Sequence, residues 1–222
     1  MKKASGSHLA SRLPARQPLK SERRRPVQSR SQATVDIVLQ ATLQVLRAVG
    51  YRKLTTTRVA EVAGVSVGTL YQYFPDKTAL VGAVMRRFLA ALTEQVVAAV
   101  RAGRHEPPEV ALAAMVHAFL AAKRADLDAA LGLRPALQDL DYAPLVRAAA
   151  RRVSAALALL LRQHIPEAAR AARVVVAAVN GAVEAALDER PSLLADDAFE
   201  REVIAVAVGY YRVRCASQLR RS

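Results

Sequence analysis

The sequence predicts an all-α protein of about nine helices, and three observations carry that expectation. Hydrophobic residues make up 53% of the 222, mainly Ala, Val and Leu, with no Trp and few aromatics, a mixture that favours finely packed helices. Apolar residues recur at i, i+3 and i+4 through most of the chain beyond residue 30. Gly50, Gly64, Pro75, Pro135, Pro144 and Pro191 fall where those runs stop. A chain this long holds one moderately large domain or two small ones with ample core.

Residues 1–30 are rich in Ser, Pro, Arg and Gln and lack apolar periodicity, so they are expected to be a disordered basic arm. They carry Lys2, Lys3, Arg12, Arg16, Lys20, Arg23, Arg24, Arg25 and Arg30 against Glu22 alone, more than half of the chain's net +14. Such an arm suits following a DNA backbone or a minor groove; a solubilising tail is the plainer alternative. Positive charge of this size points to a polyanion, and nucleic acid fits better than a membrane surface.

A first helix is expected over 31–49, with Val35, Val38, Leu39, Val45, Leu46 and Val49 on its apolar face and Gly50 as its stop. Next come two short helices. Thr55 is a side-chain cap for the first, with Val59, Ala60, Val62 and Ala63 as its apolar face and Gly64 to end it in the left-handed region. Ser66 caps the second, Leu70, Tyr73 and Phe74 share one face, and Pro75 stops it. Cap, small Ala60, turn glycine and the plugging Val65 and Leu70 are in register for a helix-turn-helix; an ordinary helical hairpin is the alternative. The outward face, Val67, Gly68, Tyr71 and Gln72 with Thr69 beside them, is short-chained and uncharged, as contact with base edges requires.

The run Thr55 to Leu80, above all Leu70-Tyr71-Gln72-Tyr73-Phe74 with Lys77, closely resembles the DNA-binding signature of TetR-family transcriptional regulators. The resemblance spans about residues 31–88, and Arg58 departs from it, standing where many members carry an acid. It implies a sequence-specific regulator that reads double-stranded DNA in the cytoplasm through Thr56, Ser66, Val67, Gly68, Thr69, Tyr71, Gln72 and Lys77. Thr56 and Lys77 are expected on phosphates and the others at the bases. A homodimeric repressor released from a palindromic operator by a small-molecule effector is the reading it implies. The domains are then 1–30, the arm; 31–77, the DNA-binding unit; and 78–222, an effector-binding and dimerisation domain.

Asp76 caps a fourth helix over about 77–101, a rod of about 35 Å with Leu80, Val81, Val84, Phe88, Leu92, Val96 and Val100 as its stripe. Residues 103–108 read as a linker. Helices are expected over 109–124, 126–133 and 142–164, punctuated by Pro135 and Pro144, and then over 166–190 and 197–220, with Pro166 in a first turn. His117 and Phe119 are candidates to line a cavity, with core or surface placement as the alternative. Asn180 and Glu184 are candidates to face a ligand or an arginine across the dimer, with a solvated face as the alternative. Val176, Val179, Val183 and Leu187 form one seam, and Phe199, Val203, Val206, Tyr210 and Val213 another. The resemblance makes these a four-helix dimer interface, whereas spacing alone fits an intramolecular core equally. Gly181 and Gly209 are expected to allow close backbone approach.

His8, His105, His117 and His164 are scattered, with no metal-ligand spacing, phosphate loop or nucleophile beside a base, so neither enzyme, metal nor cofactor is expected. Lone Cys215 excludes an internal disulfide, and no apolar run reaches membrane-spanning length. Two other readings stay open: an architectural DNA-binding protein with no ligand, and a regulator answering to a protein partner.

Overall fold

The computed structural model describes residues 25–139 and 142–219, and these are helical and without strands. The expectation for the arm lies outside the described residues as far as residue 24. Helix α1 runs Arg25–Lys53, beginning earlier than the periodicity suggested, and breaks at Gly50 (φ 72°, ψ 171°), the glycine read as its stop. Helices α2 (Thr56–Ala63) and α3 (Val67–Tyr73) form the helix-turn-helix, and α4 spans Lys77–Ala102. A short 3-10 turn over Gly103–His105 leads to α5, Pro108–Ala125. Then come α6 (Leu127–Asp139), α7 (Ala143–Leu161), α8 (Ala168–Glu189) and, past a 3-10 turn over Pro191–Ala195, α9 (Asp197–Leu219).

Two prolines act differently from the sequence reading. Pro135 lies inside α6 and does not end it. A proline inside a helix costs about 3 kcal/mol, and the packing on either side of it, where Leu133 and Ala136 are buried, opposes that cost. Pro166 does not open α8, because Glu167 takes a left-handed conformation (φ 54°, ψ 36°) and the helix cannot begin before Ala168.

Two cores follow. One gathers Val38, Val45, Leu46, Leu54, Val59, Ala60, Leu70 and Phe74 with Leu80, Val81, Val84 and Met85 of α4, and also Leu133, Ala136 and Tyr142. Packing therefore carries the N-terminal unit beyond residue 77 and across to α6. The other joins α4, α5, α7, α8 and α9 through residues such as Val96, Leu112, Leu120, Leu157, Val183 and Val203. Phe88 packs against both. Buried Thr42 and Thr93 satisfy their hydroxyls by donating to the carbonyls of Val38 (2.7 Å) and Leu89 (2.6 Å), four residues back.

Candidate nucleic-acid interface and cavity

The helix-turn-helix is fixed at each corner by the residue type the backbone needs. Thr55 Oγ1 accepts from the Arg58 amide at 3.2 Å, and Ser66 Oγ accepts from the Thr69 amide at 2.9 Å. Gly64 sits at φ 65°, ψ 30° and donates to the last carbonyls of α2, a conformation costing other residues about 1–2 kcal/mol. Val59, Ala60 and Leu70 are buried between the helices. Val62 does not join them: it is 47% exposed, since the apolar face of so short a helix is only Val59 and Ala60 wide.

That packing leaves Gly68, Tyr71 and Gln72 exposed, with Val67 and Thr69 half-buried beside them. Tyr71 Oη lies 3.0 Å from Thr56 Oγ1. Ser66 is engaged in capping and also meets the Thr69 hydroxyl at 2.8 Å. Lys77 Nζ lies 4.3 Å from the centre of the Tyr51 ring and donates to the Arg52 carbonyl at 3.4 Å, so it seals the end of α1 as well as adding charge. Arg58, the departure from the family pattern, is exposed near the same helices, and so are Arg52 and Lys53, which the reading of single motifs missed.

A cavity of about 380 Å³ lies between α4, α5, α6, α7 and α8. Most of its wall is apolar, including Met85, Phe88, Leu92, Met115, Phe119 and Val153. Polar groups gather on one part of the wall. Lys123 Nζ donates to Glu184 Oε1 at 2.8 Å, and Arg134 to Glu184 Oε2 at 2.5 Å. Arg134 also pairs with Asp188. Burial alone would lower the Arg134 pKa, but hydrogen bonds to Asp188 and Glu184 and their charges outweigh it and raise it. Lys123 Nζ also lies 5.7 Å and 5.9 Å from the ring centres of Phe119 and Phe88.

Of the residues read as ligand-facing, Phe119, Asn180 and Glu184 line this cavity. His117 does not: it is exposed on α5 and bonds Glu200 of α9 through Nδ1 at 2.7 Å. Glu184 finds its partners within the chain, so neither a solvated face nor an arginine across a dimer is needed. Lys123, Arg134 and Arg147 were missed. The signal for Lys123 was present, since the buried stripe Leu112, Met115, Val116, Phe119 and Leu120 reaches it at the next helical step. Arg134 was hidden by ending the helix at Pro135.

The expected dimer seams divide. Val179, Val183, Leu187 and Val203 are buried within the chain, because α8 and α9 also close its own core, so these are not free to meet another copy. Val176, Phe199 and Tyr210 are half-buried, and Val206 and Val213 exposed. Nothing among the described residues lies within 4 Å of a methyl placed on Gly181 or Gly209, so no described element of this chain uses the close approach they permit.

Comparison with known proteins gives a consistent result. The family model described as bacterial regulatory proteins, tetR family, matches residues 38–84, and one described as tetracyclin repressor-like, C-terminal domain, matches 107–210. Over 166 residues the chain is 31% identical to the HTH-type transcriptional regulator BetI of Cronobacter sakazakii, covering 69% of this chain and 80% of that protein. It is 37% identical over 71 residues to the nucleoid occlusion factor SlmA of Glaesserella parasuis, but spans only 34% of that protein and 32% of itself in doing so. A solved transcriptional regulator from Rhodococcus superposes with a TM-score of 0.66 at 21% identity, over 82% of this chain and 97% of that one. A TetR-family regulator from Streptomyces coelicolor gives 0.63 at 24%, over 81% and 96%. At such identities the structural likeness is one of fold.

Proposed function

This chain belongs to the TetR family of bacterial regulatory proteins, DNA-binding transcription regulators and not enzymes, and from that premise we propose a ligand-released repressor. Two copies read the two halves of a palindromic operator, and a small molecule in the cavity releases them. The observation that carries this reading is the course of α4. Leu80, Val81 and Val84 near its start are built into the core under the reading helix, while Met85, Phe88, Leu92, Thr93 and Val96 further along form the cavity wall. A ligand that fits the cavity better after α4 has shifted binds the DNA-incompetent arrangement better, which is what release requires thermodynamically.

Bases are met by Ser66, Val67, Gly68, Thr69, Tyr71 and Gln72, and phosphates by Thr56 and Lys77, with Arg52, Lys53 and Arg58 adding affinity independent of sequence. The dimer face is the outward side of α8 and α9, where Val174, Gly181, Val206, Gly209 and Val213 are exposed. Work on chromosomal DNA places the protein in the cytoplasm; among the described residues no helix is long and apolar enough to cross a membrane. The test is selection of bound fragments from a genomic pool at about 150 mM salt, where exposed charges more than about 8 Å apart are screened. Enrichment of one palindrome is expected; recovery of unrelated fragments would favour the architectural alternative instead.

A further inference from the structure

The cavity wall is unbalanced in charge. Among the described residues it presents Lys123, Arg134 and Arg147 against a single carboxylate, Glu184, which Lys123 and Arg134 already share. Asp188 pairs with Arg134 from outside the wall. Arg147 and Asn180 line the cavity with no hydrogen bond or ion pair of their own among the described residues. The remainder is apolar except for Thr93, whose hydroxyl is taken by the Leu89 carbonyl, and the cavity's 380 Å³ equals about a dozen liquid waters.

Such a wall discriminates between ligand charges. A cation would meet an excess of positive charge and would have to take Glu184 from Lys123, leaving a buried ammonium unpaired. A neutral apolar molecule would leave the polar wall as it is. A monoanion gains from the excess charge and from the donors on the wall, and the Glu184 carboxylate it displaces, 30% exposed against 9% for Lys123, has water in reach. Resting on the effector-cavity reading above, we propose that the cavity takes an amphipathic monocarboxylate, an acyl or aryl acid, whose head group replaces the Glu184 carboxylate between Lys123 and Arg134.

The exchange has a regulatory consequence. Glu184 belongs to α8, whereas Arg134 belongs to α6, whose other side is packed on the DNA-binding unit: Leu133 and Ala136 lie in that core, and a methyl on Gly132 would come 3.1 Å from the Leu46 carbonyl oxygen. Arg47 of α1 and Asp126 at the start of α6 are paired at 2.6 Å. In the unliganded protein Glu184 therefore acts as an internal stand-in for the ligand, holding α6 to α8. The head group takes over the part of that tie made by the Glu184 carboxylate, so α6, and the DNA-binding unit with it, is held to α8 only by the bonds of Arg134 to Asp188 and to the Glu184 carbonyl oxygen.

The experiment is calorimetric titration of the full chain with octanoate, 4-phenylbutyrate, octylammonium and 1-octanol, with DNA release followed in parallel. At least one carboxylate is expected to bind tenfold or more tightly than octylammonium and octanol, the better of the two telling an acyl from an aryl source. Glu184→Gln, which removes the competing charge, should tighten carboxylate binding; Lys123→Met should weaken it at least tenfold. Arg147→Gln, at an exposed position unable to disturb the core, should weaken it should Lys123→Met fail to fold. Tightest binding of octylammonium or octanol, or weaker carboxylate binding in Glu184→Gln, would overturn the proposal. If a cationic or neutral probe binds and releases DNA, the effector cavity stands and only the anionic assignment falls. If no probe binds, this proposal falls; if, in addition, a side chain filling the cavity at Ala150 leaves DNA affinity and its regulation untouched, the effector reading falls too.

Discussion

The Thr56 hydroxyl and the Tyr71 phenol lie 3.0 Å apart, joining the first turn of α2 to the exposed face of α3. An exposed hydrogen bond of this kind contributes about 1 kcal/mol or less to stability. Its effect is orientational: it holds a large aromatic side chain, 48% exposed, in one direction on the face that would lie against DNA.

Tyr71→Ala is accordingly expected to abolish operator binding while leaving helical content and melting temperature nearly unchanged. Tyr71→Phe keeps the ring but loses the bond and should show an intermediate loss. Fluorescence anisotropy on operator DNA, with circular dichroism as the control, checks both; unchanged affinity in Tyr71→Ala would refute the assignment of the reading face.

The helix-turn-helix was legible because its signals are local. Thr55, Gly64, Ser66 and Asp76 each solve a backbone problem within three or four residues, and each cap forms as read. The cavity was less legible because it depends on which helices meet. Nothing near Glu184 in sequence reveals that Lys123 and Arg134, 61 and 50 residues away, become its partners. The seams on α8 and α9 divided for a related reason: a 3-4 spacing gives a packing stripe but not the partner that covers it. Val183 and Val206 fit the same pattern and ended on opposite sides, one buried and one exposed.

The contact between α6 and α1 is tight enough to test with one methyl. Gly132→Ala sets a Cβ 3.1 Å from the Leu46 carbonyl oxygen and 3.4 Å from its carbon, both backbone atoms that cannot rotate away. The gain in helix propensity, about 1 kcal/mol, opposes an overpacking cost of about 1–3 kcal/mol. A net loss of about 1 kcal/mol in chemical denaturation is expected, with altered DNA affinity, because the shift falls on α1.

Glu200 ties α9 to α5 by pairing with Arg124 and His117. Burial would raise its pKa, but the hydrogen bonds and charges of Arg124 and His117 outweigh burial and lower it. The folded carboxyl thus releases its proton more readily than the unfolded one. Its contribution is fully present above the unfolded value of about 4.3 and is lost as pH falls through the folded value. Glu200→Gln should therefore be less stable than the native chain at neutral pH and lose less on acidification below about pH 5; parallel stability profiles would show the pairing to be inconsequential.

A dimer through the outward faces of α8 and α9 requires that charge on those faces break it. Val206→Arg should give a monomer in sedimentation at micromolar concentration and weaken binding to a palindrome much more than to a half-site. Val110→Arg provides the control, being similarly exposed but on α5. Loss of the dimer in both variants, or in neither, would remove these faces from the interface.

The ion cluster in the cavity wall should respond asymmetrically to the loss of its members. Glu184→Ala leaves Lys123, 8% exposed, with its ammonium buried and without a carboxylate, and should cost about 3 kcal/mol. Lys123→Met removes the more deeply buried of the two charges, yet Glu184 keeps Arg134, and methionine fills similar space between Phe88 and Phe119. Removing the desolvated cation can then leave stability unchanged or raise it. The expected order in urea denaturation is Glu184→Ala below native, with Lys123→Met at or above native. Equal destabilisation by both would mean that the direct Lys123–Glu184 bond outweighs desolvation. The opposite order would mean that Lys123 is hydrated in solution, and the wall would then lose the buried ammonium on which its charge selectivity depends.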